Sequence, residues 1–237
     1  MKFSVIVPAH NEERFVGKCL NSIKSARVDA SDSVEVIVVL NRCTDKTEKI
    51  SKELGAVLVR EDARNLSKIR NAGVAAATGE IIVTIDADST MSPNMFLEIK
   101  KKLLTGKFIG GGVRIKPERI SLGIILSLLL IMPFALFRGV SSAGLFWCFK
   151  KDFDAVGGFN EELISIEDVD FALRLKALGK RSGKRFGAIY KGYIVTSCRK
   201  FDRFGDWYLV RNPGLVRAIF TGKDVKAADK FYYDYKN

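Results

Sequence analysis

The sequence predicts an α/β fold: a mostly parallel central sheet flanked by helices, with an apolar helical insertion in its second half. Short runs rich in β-branched residues alternate with segments of helical periodicity along the first 90 residues, the pattern of right-handed strand–helix–strand crossovers. The 237 residues are 47% hydrophobic and 28% charged, as in ordinary globular chains. A segment free of charge, Ile120–Phe137, provides the insertion.

The first half supplies four predicted strands and three predicted helices. Its strands are continuous apolar runs, as expected for strands that are buried on both faces of a parallel sheet. Its helices carry apolar residues at helical spacing, and Gly55 and Gly79 follow the second and third helices as stop signals. The predicted strands are Phe3–Val7, Val34–Leu40, Ala56–Val59 and Ile81–Ile85, and the predicted helices are Glu12–Ala26, Thr44–Leu54 and Asn65–Ala77.

The second half is predicted to add another strand, Ser142–Lys150, and a helix, Val169–Leu178, that Gly179 ends. No internal repeat or low-complexity linker divides the chain. We therefore predict one domain over residues 1–200, with a first half at 1–90, a second half at 91–200 and a C-terminal extension at 201–237.

The charge balance is strongly basic, with 39 Lys and Arg against 27 Asp and Glu, or +12. Such a surface attracts polyanions, namely nucleic acid, anionic lipid headgroups or phosphorylated small molecules. Because no helix-turn-helix, zinc-finger or RNA-binding signature occurs, nucleic acid is not a predicted partner. The four cysteines form no C-x-x-C pair, which argues against a zinc site and favours free thiols in a reducing compartment. The N-terminal residues lack the apolar core of a secretory signal, so we expect a cytoplasmic protein.

Polar residues follow three of the predicted parallel strands, at Pro8–Glu12, Asn41–Asp45 and Asp86–Ser89. Ligands of open α/β sheets bind beyond the carboxyl ends of the strands, so these residues are expected to share a site. Neither a P-loop nor a dinucleotide-binding glycine loop is present. Any phosphates must therefore be held by other groups.

Asp86 and Asp88 end the fourth predicted strand two residues apart, so their side chains point to the same side of an extended chain. Two neighbouring carboxylates repel each other unless a cation lies between or beside them. Their oxygens suit Mg²⁺ or Mn²⁺, which also bind diphosphate oxygens. The alternative is a solvated turn that leads into the next helix.

These residues belong to a longer series of motifs that resembles the family 2 glycosyltransferases, inverting enzymes with the type A nucleotide-sugar fold. The resemblance extends over residues 4–174 and fades after about residue 185. It implies that residues 1–90 are the nucleotide-binding half of a glycosyltransferase domain and that residues 91–200 are its acceptor half. The matching stretches are Ser4–Glu13, Val38–Thr47, Arg70–Gly73, Ala77–Glu80, Asp86–Asp88, Gly157–Asn160 and Glu167–Arg174.

The resemblance implies a donor of the UDP-sugar or GDP-sugar type and a bound Mg²⁺ or Mn²⁺. It implies that Asp86 contacts the nucleotide, that Asp88 holds the metal with Asp86 as a second candidate ligand, and that Arg70 lies near the sugar or diphosphate. Asp168 would be the catalytic base, because an inverting transfer requires a carboxylate to take the proton of the acceptor hydroxyl. The residues implied to line the nucleotide pocket are Pro8, His10, Asn11 and Glu12.

Three features depart from the family's pattern. Asn41 stands where the family usually has an aspartate pair that binds the base, so an amide would contact the base here. The family's late metal-binding histidine is absent, since His10 is the one histidine of the chain. Arg199 and Lys200 are candidates for binding the diphosphate instead, and a solvated basic strand end is the alternative. We expect His10 to be neutral and hydrogen-bonded, and to shape its loop.

The apolar segment Ile120–Phe137 has 18 uncharged residues between Arg119 and Arg138, enough for a membrane-span candidate. A single span would place Asp88 and Asp168 on opposite faces of the membrane. The remaining alternatives are a buried core helix, an interfacial helix and a re-entrant hairpin bent at Pro133. We expect membrane contact, a peripheral location on the inner face of the cell membrane and an acceptor that is lipid-linked.

Two other functions remain open from the sequence. A sugar nucleotidyltransferase would use a related sheet, but it needs a glycine-rich phosphate loop after the first strand, and Pro8–Asn11 is not one. A catalytically silent, membrane-associated scaffold that binds nucleotide sugars would tolerate the loss of Asp86, Asp88 and Asp168, all of which are present.

Overall fold

The computed structural model describes residues 1–137, 144–163 and 166–216, which form one sheet of eight strands with helices on both faces. The predicted fold class is confirmed. The strands are β1 (Lys2–Ala9), β2 (Ser33–Leu40), β3 (Val57–Arg60), β4 (Ile81–Ile85), β5 (Ser89–Met91), β6 (Phe108–Pro117), β7 (Leu145–Phe149) and β8 (Arg185–Thr196). The helices are α1 (Val16–Lys24), α2 (Thr47–Glu53), α3 (Leu66–Ala75), α4 (Met95–Leu104), α5 (Leu122–Phe137), α6 (Lys150–Ala155), α7 (Glu167–Arg181), α8 (Arg199–Phe204) and α9 (Tyr208–Arg211).

The strand order is β3-β2-β1-β4-β7-β6-β8-β5. In the first half, β1 pairs in parallel with β2 and β4, and β2 pairs in parallel with β3. The carboxyl ends of β1, β2 and β4 therefore meet at one edge, as the sequence predicts. Strand β7 is antiparallel to both β4 and β6 and joins the two halves, while β6 and β8 are parallel and β5 adds to β8 in antiparallel fashion.

The core forms one layer on each face of the sheet, because successive side chains of a strand point to opposite faces. On one face Phe3, Val5 and Val7 of β1 pack with α1 and α4. On the other face Ile6 packs with α3, α6 and α7, where the rings of Phe159 and Phe171 stack with centroids 4.5 Å apart. The buried residues of the two layers hold the sheet between its helices, and with it the edge that carries the candidate site.

Two predicted helix ends are wrong. Helix α3 ends at Ala75, and Gly79 lies against β1 instead, where a Cβ would come within 2.5 Å of Ser4 Oγ. Helix α7 continues through Gly179, whose Cβ would come within 2.8 Å of Ile109 Cγ2, and Gly183 (φ +69°) follows the helix in the left-handed conformation. Both mispredicted glycines provide room for close packing, a role that the sequence signal for a stop cannot distinguish.

The predicted first helix also begins too early. Helix α1 starts at Val16, because Asn11 has φ +52° and the carbonyl of Glu12 accepts hydrogen bonds from the N–H groups of Phe15 and Val16 in a turn. Strand β1 runs on to Ala9. Residues 10–15 thus form a loop at the sheet edge.

The charge-free segment forms α5 (Leu122–Phe137), with Pro133 inside the helix. Within the described residues, no helix combines the length and the apolarity that crossing a membrane requires. The first residues of the predicted strand Ser142–Lys150 lie outside the described part, and β7 covers Leu145–Phe149. The predicted boundary at residue 200 falls inside α8 (Arg199–Phe204), and residues 217–237 of the predicted extension lie outside the described part.

Candidate active site

Arg70 links three elements at the carboxyl edge of the sheet. Asn65 caps the helix that carries it, because the Asn65 side chain accepts a hydrogen bond from the Lys68 N–H. The guanidinium of Arg70 donates through Nη2 to Asp86 Oδ1 at 3.0 Å and through Nη1 to Glu167 Oε1 at 2.9 Å. Arg70 is only 4% exposed, and such a buried cation requires paired carboxylates. The ion pairs therefore fix the end of β4 relative to the start of α7.

The guanidinium of Arg70 also lies over the ring of Phe159, with its central carbon 5.2 Å from the ring centroid. Phe159 follows the turn at Gly157 and Gly158, both of which have positive φ, as the predicted tight turn requires. The Nε of Arg70 is buried and has no hydrogen-bond partner among the described residues. This N–H is a donor that a bound ligand or water would satisfy.

Two carboxylates begin α7. Ile166, the residue before them, has φ +61°, which is strained for a β-branched side chain. Glu167 is 9% exposed, and Asp168, which is half-buried, accepts a hydrogen bond from the Val169 N–H at 2.7 Å. The N-terminal turn of α7 favours the ionised form of both side chains through the helix dipole.

Burial counteracts that preference. Burial and the neighbouring Asp168 raise the pKa of Glu167 to about 7, against the lowering effect of Arg70. Burial also raises the pKa of Asp168, and Arg70 opposes the increase. A carboxylate with a raised pKa accepts protons more readily, which suits a general base that works near neutral pH.

Arg199 is the second bridging arginine of the site. It begins α8, and its guanidinium donates to both carboxylate oxygens of Glu12, at 2.6 and 3.0 Å. The same group lies 3.0 Å from Asp88 Oδ2, which also accepts a hydrogen bond from Ser197 Oγ at 3.0 Å. Burial and the charges of Asp86 and Glu12 raise the pKa of Asp88, while Arg199 lowers it.

The carboxylate oxygens of Asp88 are suitable ligands for a divalent cation. Its Oδ2 is used by Arg199 and Ser197, but the contact of Oδ1 with a described residue is that with the Ser89 hydroxyl at 3.5 Å. Mg²⁺ is commonly held by one or two carboxylates together with substrate phosphates, so a single available carboxylate oxygen is adequate. No cluster of three or more His, Cys, Asp or Glu side chains suited to a metal occurs within the described ranges.

The loop after β1 is held by hydrogen bonds from its polar side chains. His10 Nδ1 donates to the Asn41 carbonyl at 2.6 Å, the kind of contact expected of a side chain that shapes the loop. Asn11 Oδ1 accepts from the Thr44 N–H at 2.8 Å, which ties this loop to the one after β2. Pro8 lies within β1, half-buried at the same sheet edge.

Asn41 is engaged within the protein. Its amide donates to the Glu61 carbonyl at 2.5 Å and to the Ala63 carbonyl at 2.9 Å, and its Oδ1 accepts from the Arg42 guanidinium. The side chain is 2% exposed and joins the end of β2 to the loop after β3. A contact between Asn41 and a base would require these hydrogen bonds to be exchanged.

The structure thus gathers part of the predicted residues into two clusters at one edge, with Asp86 and Asp168 around Arg70 and with Glu12 and Asp88 around Arg199. The other predicted residues, Pro8, His10, Asn11 and Asn41, lie at the same edge in contacts of their own. Sequence reasoning missed Ser197 as a partner of Asp88, although it lies two residues before Arg199 and shares its strand end. It also missed the pairing of Glu167 with Arg70.

The model of the family described as "Glycosyl transferase family 2" matches residues 4–137 of this chain. Among curated proteins, the chain is similar to the putative glycosyltransferase EpsH of Bacillus subtilis, with 28% identity over 96 residues, or 38% of this chain and 27% of EpsH. The chain spans between 15% and 38% of the length of the first three curated relatives.

Two solved structures share the fold. Residues 1–349 of TarS of Staphylococcus aureus, in complex with UDP-GlcNAc, have a TM-score of 0.64 at 20% identity, with 83% of this chain and 58% of the other covered. Glucosyl-3-phosphoglycerate synthase of Mycobacterium tuberculosis, with Mn²⁺, UDP and glucosyl-3-phosphoglycerate, has a TM-score of 0.59 at 21% identity, with 93% and 80% covered. Because the family model covers more than half of the residues, this chain belongs to glycosyltransferase family 2.

Proposed function

We propose that the protein transfers a sugar from a UDP-sugar to an acceptor hydroxyl with inversion at the anomeric carbon. The observation that carries this proposal is the pair of ion pairs made by Arg70, which joins Asp86 at the carboxyl edge of the sheet to Glu167, the neighbour of Asp168. A transferase needs a donor site and a proton acceptor held at a fixed separation. The complexes of the two structural neighbours with UDP-GlcNAc and UDP support a UDP-sugar as the donor.

Asp168 is the general base of the proposed reaction. Its Oδ1 is held by the Val169 N–H, and it lies at the start of a helix that Arg70 fixes through Glu167. The acceptor hydroxyl loses its proton to Asp168 as the oxygen attacks the anomeric carbon from the face opposite the leaving diphosphate. Glu167 orients Arg70 and keeps its positive charge next to Asp86.

The donor's diphosphate leaves with additional negative charge, which cations must stabilise. Arg199 is positioned to bind it, because Glu12 and Asp88 hold its guanidinium beside the end of β4. Asp88 would hold Mg²⁺ or Mn²⁺ through Oδ1, and the ion would supply Lewis-acid stabilisation of the leaving diphosphate. The Mn²⁺ in the complex of the mycobacterial neighbour supports this choice of ions.

The acceptor in this proposal is lipid-linked, and the enzyme works at the inner face of the cell membrane. The apolar, exposed helix α5 supports both statements, because it follows β6, and β6 pairs with β8, the strand that ends just before Ser197 and Arg199. The net charge of +12 favours an anionic surface.

A transfer assay tests the proposal. The protein is incubated with radiolabelled UDP-sugars, Mn²⁺ and a bacterial lipid extract, and the products are separated and their anomeric configuration is determined by NMR. We expect a labelled product with inverted configuration that depends on Asp168. Retained configuration, or hydrolysis alone with every donor and acceptor fraction, would overturn the proposal.

A further inference from the structure

Helix α5 turns its polar and small residues, together with Ile124, toward the protein and most of its large apolar residues outward. Gly123, Ile124 and Ser127 are buried, and Ser127 Oγ donates to the Asp206 carbonyl at 3.4 Å. A Cβ on Gly123 would come within 2.8 Å of the Asp206 backbone, so the helix is packed tightly on this side. The exposed residues are Leu122 (63%), Ile125 (42%), Leu126 (37%), Leu128 (45%), Leu129 (50%) and Met132 (48%).

The exposed residues form one continuous face. At 3.6 residues per turn, the exposed residues between Leu122 and Pro133 lie on an arc of about 160° around the helix. The buried residues Gly123, Ile124 and Ser127 lie on the opposite side. No charged or hydrogen-bonding side chain interrupts that arc within residues 122–133. A helix on a water-exposed surface shows the reverse arrangement, with its apolar stripe toward the core.

This inverted arrangement fits an apolar medium around α5. Small residues at the protein contact and large aliphatic residues outward are typical of helices that pack in lipid. A helix docked in a protein groove would bury a narrower stripe at its partner and keep polar residues on the remaining surface. The outward face of α5 has no such polar part within residues 122–133, which favours lipid over a protein groove as its surroundings.

The elements packed against α5 carry features of a membrane interface. Helix α9 packs on α5, and the turn before it holds Trp207, which is 40% exposed. Exposed Arg203 and Arg211 lie on α8 and α9. Tryptophan and arginine at the rim of an apolar surface match the headgroup region of a bilayer, and the net charge of +12 matches an anionic one.

The residues just before α5 connect this helix to the candidate active site. The Glu118 N–H donates to the Thr196 carbonyl at 2.9 Å, and the Cys198 thiol donates to the Arg119 carbonyl at 3.6 Å. Ser197 and Arg199, on either side of that cysteine, are the partners of Asp88. Arg119 is fixed in turn by Asp202 and Asp206, at 2.6 and 2.7 Å.

We propose that the outward face of α5 docks in the interfacial region of an anionic lipid bilayer, with the helix axis along the surface and Trp207 at headgroup level. The contacts of Gly123 and Ser127 with Asp206 keep one side of the helix on the protein, while the aliphatic arc enters the lipid. Docking brings the site to the membrane surface, where a lipid-linked acceptor is presented. This last consequence rests on the proposed function, whereas the docking itself does not.

Vesicle co-sedimentation at low salt tests the docking. The full chain is mixed with phosphatidylcholine vesicles that contain either no phosphatidylglycerol or a large fraction of it. We expect binding to the anionic vesicles, weaker binding in 1 M salt, and roughly tenfold or greater loss of binding in the triple variant Leu126→Asp, Leu129→Asp, Met132→Asp, which moves three charges into the lipid. Leu104→Asp is the matched control, because Leu104 is a 66% exposed leucine at the end of α4, away from α5, and this variant should bind normally.

Trp207 supplies a readout that does not depend on the folding of the triple variant. Its fluorescence should shift to the blue when anionic vesicles are added, and the shift should be lost in Trp207→Phe, which leaves only the buried Trp147. Wild-type protein that stays in the supernatant, or a triple variant that sediments as fully as wild type, would overturn the docking. A concentration-dependent dimer that the triple variant abolishes, without vesicle binding, would assign the face to a second copy and overturn it as well.

Thermal stabilisation by UDP is measured on the same samples. Intact stabilisation without vesicle binding refutes the docking and leaves the proposed transfer standing. Vesicle binding without thermal stabilisation by any UDP-sugar refutes the proposed transfer and leaves the docking standing.

Discussion

The guanidinium of Arg199 lies 3.0 Å from the carboxylate of Asp88, so an internal cation already neutralises the side chain that is proposed to bind the metal. The same guanidinium holds Glu12 with two hydrogen bonds. Burial raises the pKa of Asp88 and Arg199 opposes that increase, while Oδ1 of Asp88 stays available for a metal ion.

Replacing Arg199 should make donor binding more dependent on metal. In Arg199→Gln the positive charge beside the diphosphate is lost, so the affinity for UDP in EDTA should fall about tenfold, the effect of roughly one charge-assisted contact. Added Mn²⁺ should restore more binding than in wild type, because the competing cation is gone. Isothermal titration with and without Mn²⁺ measures both effects, and Arg203→Gln, at an exposed arginine of the same helix, is the control. Equal UDP affinity in EDTA for wild type and variant would contradict the assignment.

Asp88 should be required for metal-dependent binding and not for folding. Asp88→Ala removes the available carboxylate oxygen, so Mn²⁺ should no longer strengthen UDP binding. Titration calorimetry and Mn²⁺ electron paramagnetic resonance in the presence of UDP measure this effect, with Asp62→Ala, in the neighbouring loop, as a control carboxylate. Unchanged Mn²⁺-dependent binding by Asp88→Ala would refute the metal assignment.

Arg70 should be among the most costly polar residues to replace. Arg70→Met keeps most of the side-chain volume but leaves Glu167 buried without its cation, so the free energy of unfolding should fall by about 3–5 kcal/mol. The double variant Arg70→Met, Glu167→Gln removes the unpaired charge and should recover part of that loss. Urea unfolding followed by circular dichroism measures both variants. If the double variant recovers no stability, the unpaired charge of Glu167 is not the main cause of the loss in Arg70→Met.

Asp168 should act on turnover and not on donor binding. Asp168→Asn preserves shape and the hydrogen bond from Val169 but cannot take a proton, so turnover should drop by about 10²-fold or more with UDP affinity unchanged. Steady-state assays with the labelled donor and UDP titration separate the two quantities. Asp170→Asn, in the same first turn of α7, is the control. Near-normal turnover of Asp168→Asn would assign the base elsewhere.

Glu167 should make stability fall as pH rises through neutrality. Its pKa is raised from 4.5 to about 7, so the folded state binds this proton more tightly than the unfolded state does. The resulting stabilisation is complete below about pH 4.5 and is lost as the pH rises through 7. Between pH 5.5 and 8.5 the wild type should therefore lose about 1–3 kcal/mol more than Glu167→Gln. Urea unfolding at four pH values tests this, and parallel pH profiles of the two proteins would refute it.

Much of the site edge was predictable because it depends on local pattern. Continuous apolar runs identify β1, β2 and β4, and parallel pairing then requires that their carboxyl ends meet. The position of Asp86 and Asp88 at that edge follows from their place directly after β4. The extended backbone predicted for them is wrong, because the strand ends at Ile85 and residues 87–88 form a turn, so that Asp86 pairs with Arg70 and Asp88 with Arg199. The glycines were less predictable, because Gly79 and Gly179 serve contacts with distant residues and not a local turn.

The sequence by itself determined the fold class, the family, the sheet edge and the residues available there. Tertiary structure decided which side chains meet. Arg70 and Glu167 are 97 residues apart, and Arg199 and Glu12 are 187 apart, so no periodicity or local motif could pair them. It also decided that α5 turns Ser127 inward and its leucines outward. Composition records that a helix is apolar, but only packing determines which of its faces the protein covers.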